Sequence, residues 1–253
     1  MIKYLIFVSI VLTSCDFVVK DKAASGKGAN KPSEEKANGI VKANYPDGSL
    51  RAEIPYLEGL KHGMATEYYK TGKVFQTIEY AKGLKHGWAK RYWENGNLYQ
   101  ETPYDSGRIH GEQKKYREDG KLASVGVYEY DNPCIGLKEY LLDGKLKKDY
   151  PKIVITPIDN LWRDNEYILR LSLSDKSRNV EFFTGELTNK RFIGDEASKV
   201  WNTDRNGIGE ITMTLPPGGF MMEELNIIAK VKTKQGNYYI TQRKYNLAIQ
   251  NRR

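Results

Sequence analysis

The three histidines of the chain and one of its two cysteines recur at a constant interval. His62, His86, His110 and Cys134 each lie 24 residues apart. Imidazole nitrogens and thiolates are zinc ligands, and one ion binds them at about 2.0–2.3 Å. If the interval is one β-hairpin, equivalent side chains lie two strands, or about 9–10 Å, apart, which is too far for a single ion. We therefore interpret the four as repeated turn residues and predict no metal and no other cofactor.

Catalytic chemistry has no clear signature in this sequence. The chain contains no G-x-S-x-G, no H-E-x-x-H, no P-loop and no G-x-G-x-x-G, and these motifs carry much of the known hydrolytic and nucleotide chemistry. The adjacent carboxylates Glu223 and Glu224 would point to opposite sides of a strand. We predict a protein that is not an enzyme. An envelope hydrolase, recognisable by clustered carboxylates with raised pKa values, is the weaker alternative.

A repeat of 24 residues occupies residues 41–150. Alternating side chains such as Ile78 and Tyr80 predict strands, and dipeptides such as Thr71-Gly72 predict the tight turns between them. One hairpin is marginal alone, so successive hairpins must stack into a continuous antiparallel sheet. The recurring positions are one glycine series (Gly48, Gly72, Gly96, Gly120, Gly144) and two tyrosine series (Tyr56, Tyr80, Tyr104, Tyr128; Tyr68, Tyr92, Tyr116, Tyr140).

The pattern G-x-x-x-x-Y-x-x-x-G-x-[LV] within each unit resembles the bacterial variant of the MORN repeat, a form often found in chains labelled antitoxin-like. The first copy is carried by Gly63, Tyr68 and Gly72, and the next two follow at intervals of 24. The resemblance implies an elongated β-sheet that contacts proteins or lipids and performs no chemistry. Gly136 is displaced by one residue, which predicts that the fifth unit is a cap.

Two further aromatic residues of the repeat are candidates for a partner-binding face. Tyr69 and Trp93 occupy equivalent positions and are expected to point away from Tyr68 and Tyr92, because neighbouring side chains alternate along a strand. Packing under another layer is the commoner role for such residues. If no layer covers them, they form an aromatic stripe suited to a protein partner.

The repeat ends near Pro151, and residues 151–253 are expected to form a second, all-β domain. Alternating segments predict strands at 152–156, 166–174, 180–185, 209–215, 225–232 and 238–247, and this number of short strands favours a β-sandwich. Residues 202–207 are similar to the T-D-x-x-G turn of bacterial immunoglobulin-like domains. Trp162 and Trp201 are expected in the core.

The first fifteen residues predict where in the cell the protein is located. Lys3 precedes an apolar run over residues 4–12, which is too short for a membrane-spanning helix but suits a signal peptide over residues 1–14. Leu-Thr-Ser before Cys15 resembles the lipobox of bacterial lipoproteins, which implies cleavage before Cys15 and its acylation. An ordinary secretory signal is the alternative. Residues 15–40 are polar and aperiodic, which predicts a flexible tether.

The net charge of +8 is dispersed rather than clustered. Residues 1–40, 41–150 and 151–253 carry +2, +2 and +4. Nucleic-acid binding requires phosphate-facing clusters, so we predict none. The sequence therefore predicts a non-catalytic lipoprotein at the bacterial cell envelope that binds a protein partner or acts as a scaffold. The alternative is an antitoxin or immunity protein that neutralises a toxin.

Overall fold

The computed structural model describes residues 38–253, so the predicted signal peptide, Cys15 and most of the predicted tether lie outside the described residues. The first described strand begins at Gly39, one residue before the predicted end of the tether at residue 40. The repeat region contains β1 Gly39–Asn44, β2 Leu50–Leu57, β3 Leu60–Lys61, β4 Gly63–Tyr68, β5 Val74–Ala81, β6 Leu84–Tyr92, β7 Leu98–Asp105, β8 Arg108–Ile109, β9 Gly111–Tyr116, β10 Leu122–Glu129, β11 Asn132–Pro133 and β12 Lys138–Glu139.

These twelve strands form one antiparallel sheet. The longer strands follow one another in the order β1-β2-β4-β5-β6-β7-β9-β10-β11, while β3, β8 and β12 pair with β2, β7 and β10. Each of the longer strands is therefore paired with the next longer strand of the sequence, as stacked hairpins require. The predicted hairpin-repeat sheet is confirmed.

The turns of the repeat form where the glycine series predicted them. In the second unit the Tyr69 N–H donates to the Lys73 carbonyl, and the Gly72 N–H donates to the Tyr69 carbonyl. Gly72 has a φ of 80°, in the left-handed region that a residue without a side chain adopts most easily. The fifth unit keeps this turn, with the Leu141 N–H donating to the Lys145 carbonyl. Its strand before the turn, β12, has only two residues, and an isolated bridge between Tyr140 and Leu146 replaces the longer pairing of the earlier hairpins.

A β-bulge recurs near the start of the second strand of each of the first four hairpins. Between β4 and β5, for example, Glu67 pairs with Gln76 and Tyr68 with Val74, so Phe75 is the extra residue. A bulge bends its strand and re-aims the side chain of the extra residue. The four extra residues, again 24 apart, are Arg51, Phe75, Tyr99 and Ala123.

The C-terminal region forms two further sheets, β13-β14-β17 and β16-β15-β18-β19. They share one core, in which Leu169 and Leu171 of β14 pack with Phe182 of β15 and Ile227 of β18, all fully buried. Two sheets facing across one core make a β-sandwich, as predicted. The elements are β13 Ile153–Asn160, α1 Leu161–Asp164, β14 Glu166–Leu173, β15 Val180–Gly185, β16 Ala197–Lys199, β17 Gly209–Thr214, β18 Phe220–Lys232 and β19 Tyr238–Gln250.

The prediction that Trp162 and Trp201 lie in this core is wrong. Their side chains are 80% and 84% exposed. In each case the preceding residue is buried instead, Leu161 in the short helix α1 and Val200 directly after β16. Neighbouring side chains point in different directions, so burial of Leu161 and Val200 directs the two indoles outward.

A buried polar cluster joins the repeat sheet to the sandwich. The Glu139 carboxylate, 1% exposed, accepts hydrogen bonds from Thr233 Oγ1 at 2.5 Å and Asn237 Nδ2 at 2.9 Å, in the turn between β18 and β19. Lys147 Nζ lies 3.0 Å from the same carboxylate, and Lys115 Nζ donates to Asn237 Oδ1 at 2.8 Å. A buried charge is tolerated only with such partners, so this cluster fixes where the turn meets the repeat sheet.

The electrostatic environment of Glu139 predicts a pH-dependent stability. Desolvation raises the pKa of its carboxyl, but hydrogen bonds from Thr233, Asn237 and Lys147 together lower it below the ordinary value of 4.5. We expect Glu139→Gln to lower the free energy of unfolding at neutral pH by about 2 kcal/mol, measured in urea. Because the folded pKa is depressed, this contribution is present above the ordinary value of 4.5 and is lost as the pH falls through the folded pKa, so the free energies of unfolding of wild type and variant should converge in acid.

Glu224→Gln is the matched control. Glu224 forms an ion pair with Lys244 at 2.6 Å, but both side chains are more than half exposed. Exposed pairs contribute little, so this substitution should leave the free energy of unfolding essentially unchanged. Equal losses in the two variants would contradict the structural role assigned to Glu139.

Candidate interaction surface

A chain of side-chain hydrogen bonds links each repeat to the next. The residue that opens each turn donates from its side chain to the backbone carbonyl of a residue 23 positions further on, in the following hairpin. This residue is Tyr, Tyr, Trp or Arg in successive units, so the donor group varies while the acceptor stays a main-chain oxygen. The pairs are Tyr45 with Tyr68 (2.7 Å), Tyr69 with Tyr92 (2.7 Å), Trp93 with Tyr116 (3.4 Å) and Arg117 with Tyr140 (2.5 Å).

Tyr69 and Trp93 belong to a continuous row of rings, which we call the aromatic row. The Tyr69 ring lies edge-on to Phe75 with centroids 5.0 Å apart, and Trp93 lies edge-on to Tyr99 at 4.6 Å. The Arg91 guanidinium connects the two pairs, at 4.9 Å from the Phe75 ring and 5.7 Å from the Tyr99 ring. Such edge-on and cation–π contacts each add modest attraction. The row is Tyr69, Phe75, Arg91, Tyr99 and Trp93.

The aromatic row is partly accessible. Arg91 is exposed and the four rings are half-buried. The structure brings the two sequence-predicted residues, Tyr69 and Trp93, into one surface through Phe75, Arg91 and Tyr99, which were not among the predicted residues. Phe75 and Tyr99 are the bulged residues, and their 24-residue spacing was the available signal. Contact of this surface with a partner stays a prediction.

The four residues that resembled a zinc set are distributed along the repeat. His62, His86 and His110 are exposed, and His110 stacks on Tyr130 at 4.4 Å. Cys134 is 2% exposed, and burial raises the pKa of its thiol. Among residues 38–253, no three His, Cys, Asp or Glu side chains lie close enough to bind one metal ion.

Three carboxylates of the described part of the chain are held by ion pairs or hydrogen bonds. Glu224 pairs with Lys244, and Glu139 lies in the buried cluster at the junction. Desolvation raises the pKa of Glu181, but its bonds to Lys199 and Lys230 lower the pKa by more.

The fold defines a hairpin-repeat protein joined to a β-sandwich. Residues 37–58, 61–82, 85–106 and 109–130 match the family model for the MORN repeat variant. The four matches begin 24 residues apart, in phase with the hairpins, and the irregular fifth unit lies outside them. MORN repeats are generally modules that bind proteins or membranes. The resemblance is therefore confirmed for these four units.

A search among curated proteins found no match to the chain. Within residues 38–253, no helix has the length and apolar character needed to cross a bilayer.

The hydrogen bonds between repeats can be tested without removing a ring. Tyr69→Phe deletes the hydroxyl that donates to the Tyr92 carbonyl. We expect the free energy of unfolding to fall by about 1 kcal/mol in urea titrations. Tyr99→Phe is the control, because the Tyr99 hydroxyl makes no hydrogen bond within residues 38–253. A loss of the same size in both variants would show that the Tyr69 bond adds nothing.

Proposed function

We propose that the chain is a non-catalytic lipoprotein, anchored through acylated Cys15 at the bacterial cell envelope, whose repeat sheet binds a partner protein. The match of four units to the MORN repeat variant carries the proposal, because MORN repeats generally bind proteins or membranes. The lipobox resemblance of the residues before Cys15 supports the anchor. The anchor would hold the repeat sheet close to a membrane surface.

The accessible apolar side chains of the repeat sheet support a binding role. The aromatic row presents four half-buried rings and one exposed guanidinium. Aromatic residues and arginine are enriched at protein interfaces, where they contribute a large share of the binding free energy. The first two repeats also expose apolar side chains at and beside one set of hairpin loops: Leu57, Leu60, Met64, Leu84 and Trp88.

We further propose that residues 151–253 are an immunoglobulin-like domain. If β13 to β19 are numbered 1 to 7, their order is 1-2-5 in one sheet and 4-3-6-7 in the other. Immunoglobulin constant domains use the same antiparallel neighbours, except that their fourth strand lies beside the fifth. The two arrangements therefore differ only in the sheet to which the fourth strand, the three-residue edge strand β16, belongs.

The anchor is tested by fractionation of the full chain. Cys15→Ala removes the thiol that would be acylated, and two acyl chains hold a protein stably at a membrane. We expect the wild type in the membrane fraction and the variant in the soluble fraction, and globomycin should cause accumulation of the unprocessed wild-type chain. Cys134→Ala, which leaves the lipobox intact, should fractionate as wild type. Membrane association of the Cys15→Ala variant would refute the anchor.

The partner-binding surface is tested with arginine variants, because Tyr69 and Trp93 also stabilise the sheet. Arg91→Ala removes the exposed centre of the aromatic row and leaves the hydrogen bonds between repeats in place. Arg108→Ala is matched, since Arg108 is exposed and lies 4.4 Å from the Tyr130 ring in another repeat. In affinity purifications from membranes, Arg91→Ala should lower recovery of the partner by about fivefold or more, and Arg108→Ala should not. Unchanged recovery with Arg91→Ala would count against this surface, and a captured toxin would favour the antitoxin alternative.

A further inference from the structure

A groove crosses the outer face of the four-stranded sheet of the sandwich. Along β15 and β18, Phe182 and Ala229 point into the core, so their neighbours Glu181 and Lys230 point outward. A cavity of about 570 Å³ lies over this face and is bordered by Trp201 and Tyr238. A second cavity of about 280 Å³ shares Glu181, Lys199 and Lys230 with the first and reaches Asn132 and Pro133 of the repeat sheet. The two form one elongated groove.

The groove carries an excess of positive charge. Lys199 and Lys230 both pair with Glu181 at 2.7 Å, which leaves one of these two cations uncompensated. The other carboxylate, Asp204, accepts hydrogen bonds from the N–H groups of Asn206 and Ile208 in its own turn.

Three more cations along the groove have no carboxylate partner. Within residues 38–253, Arg178, Arg205 and Lys232 form no ion pair, and the ammonium of Lys232 lies 5.0 Å from the Tyr238 ring. Unpaired cations around a groove attract anions.

Trp201 supplies a flat apolar surface among these charges. Its side chain is 84% exposed, and Lys199 Nζ lies 5.4 Å from its ring. An indole combines a large apolar face with one polar N–H, which suits it to binding sites that remain partly hydrated. A ligand ring stacked on Trp201 would cover apolar surface that the folded chain leaves in water.

The polar lining of the groove distinguishes between classes of anionic ligand. Besides the cations, Glu181, Asp204, Asn179 and Thr203 present hydrogen-bond acceptors. A DNA backbone offers no hydrogen-bond donors to these acceptors. An acidic peptide would lack a ring to stack on Trp201 unless it supplied an aromatic residue. A sugar chain has apolar ring faces, hydroxyl donors and, when acidic, anionic groups for the cations.

We propose that this groove binds an extended acidic polysaccharide. One sugar ring stacks on Trp201, its hydroxyls donate to the acceptors of the groove, and its anionic groups pair with Arg178, Arg205 and Lys232. The elongated shape of the groove fits a chain rather than a compact small molecule. The proposal depends on neither the Cys15 anchor nor a repeat-sheet partner, so loss of either would leave it standing.

The test is calorimetric titration of the full chain with two matched pairs of probes. Oligogalacturonate is compared with its methyl ester, and dextran sulfate oligomers with neutral dextran. We expect at least one acidic probe to bind, its neutral partner to bind at least about tenfold more weakly, and affinity to fall as salt rises. Failure of both acidic probes to bind, or equal binding of the neutral partners, would overturn the proposal.

Tryptophan variants locate the binding site. Trp201→Ala should weaken binding of the acidic probe by about tenfold, because ring stacking on an aromatic side chain is lost. Trp162→Ala is the matched control: Trp162 is 80% exposed but lines a different cavity, beside Arg252 and Arg253. An equal loss with Trp162→Ala, or none with Trp201→Ala, would refute the site. Tighter binding of single-stranded DNA or polyglutamate than of either acidic sugar chain would refute the ligand class.

Discussion

Each hairpin of the repeat sheet depends on its neighbour, because two strands bury too little apolar surface to be stable alone. The 24-residue period meets this constraint with two sets of hydrogen bonds. The backbone pairs β5 with β6 and so connects one unit to the next. The side chain that opens a turn, such as Tyr69, also donates to a carbonyl of the next unit. The same rings that make Tyr69 and Trp93 candidates for binding a partner therefore also hold the units in register.

The sandwich packs against the C-terminal end of the repeat sheet. The fifth unit has only the two-residue strands β11 and β12, and Glu139 at its end is buried against the turn that holds Thr233 and Asn237. A buried carboxylate without partners would be costly, so the cluster is favourable only when both regions are folded and in contact. The geometry of the junction follows from that requirement.

The sequence predicted the hairpins well and the positions of two tryptophans badly. Strand alternation and turn glycines are local properties, so β5 and the turn at Gly72 were found where expected. The core assignment of Trp162 and Trp201 relied on their apolar character alone. Hydrophobicity indicates how much free energy burial of a side chain would contribute, but not the direction in which that side chain points. The adjacent residues Leu161 and Val200 occupy the buried positions instead.

The amino-acid sequence by itself determined the period, the strands and the turns, because each follows from preferences within a few residues. Only the tertiary structure decided which distant side chains meet. Asn237 reaches Glu139 across 98 positions of the chain, and Arg91 lies between Phe75 and Tyr99 because two bulges re-aim those rings. The groove beside Trp201 likewise depends on strand pairing and on the packing of two sheets. These contacts are set by register and packing, which no local preference specifies.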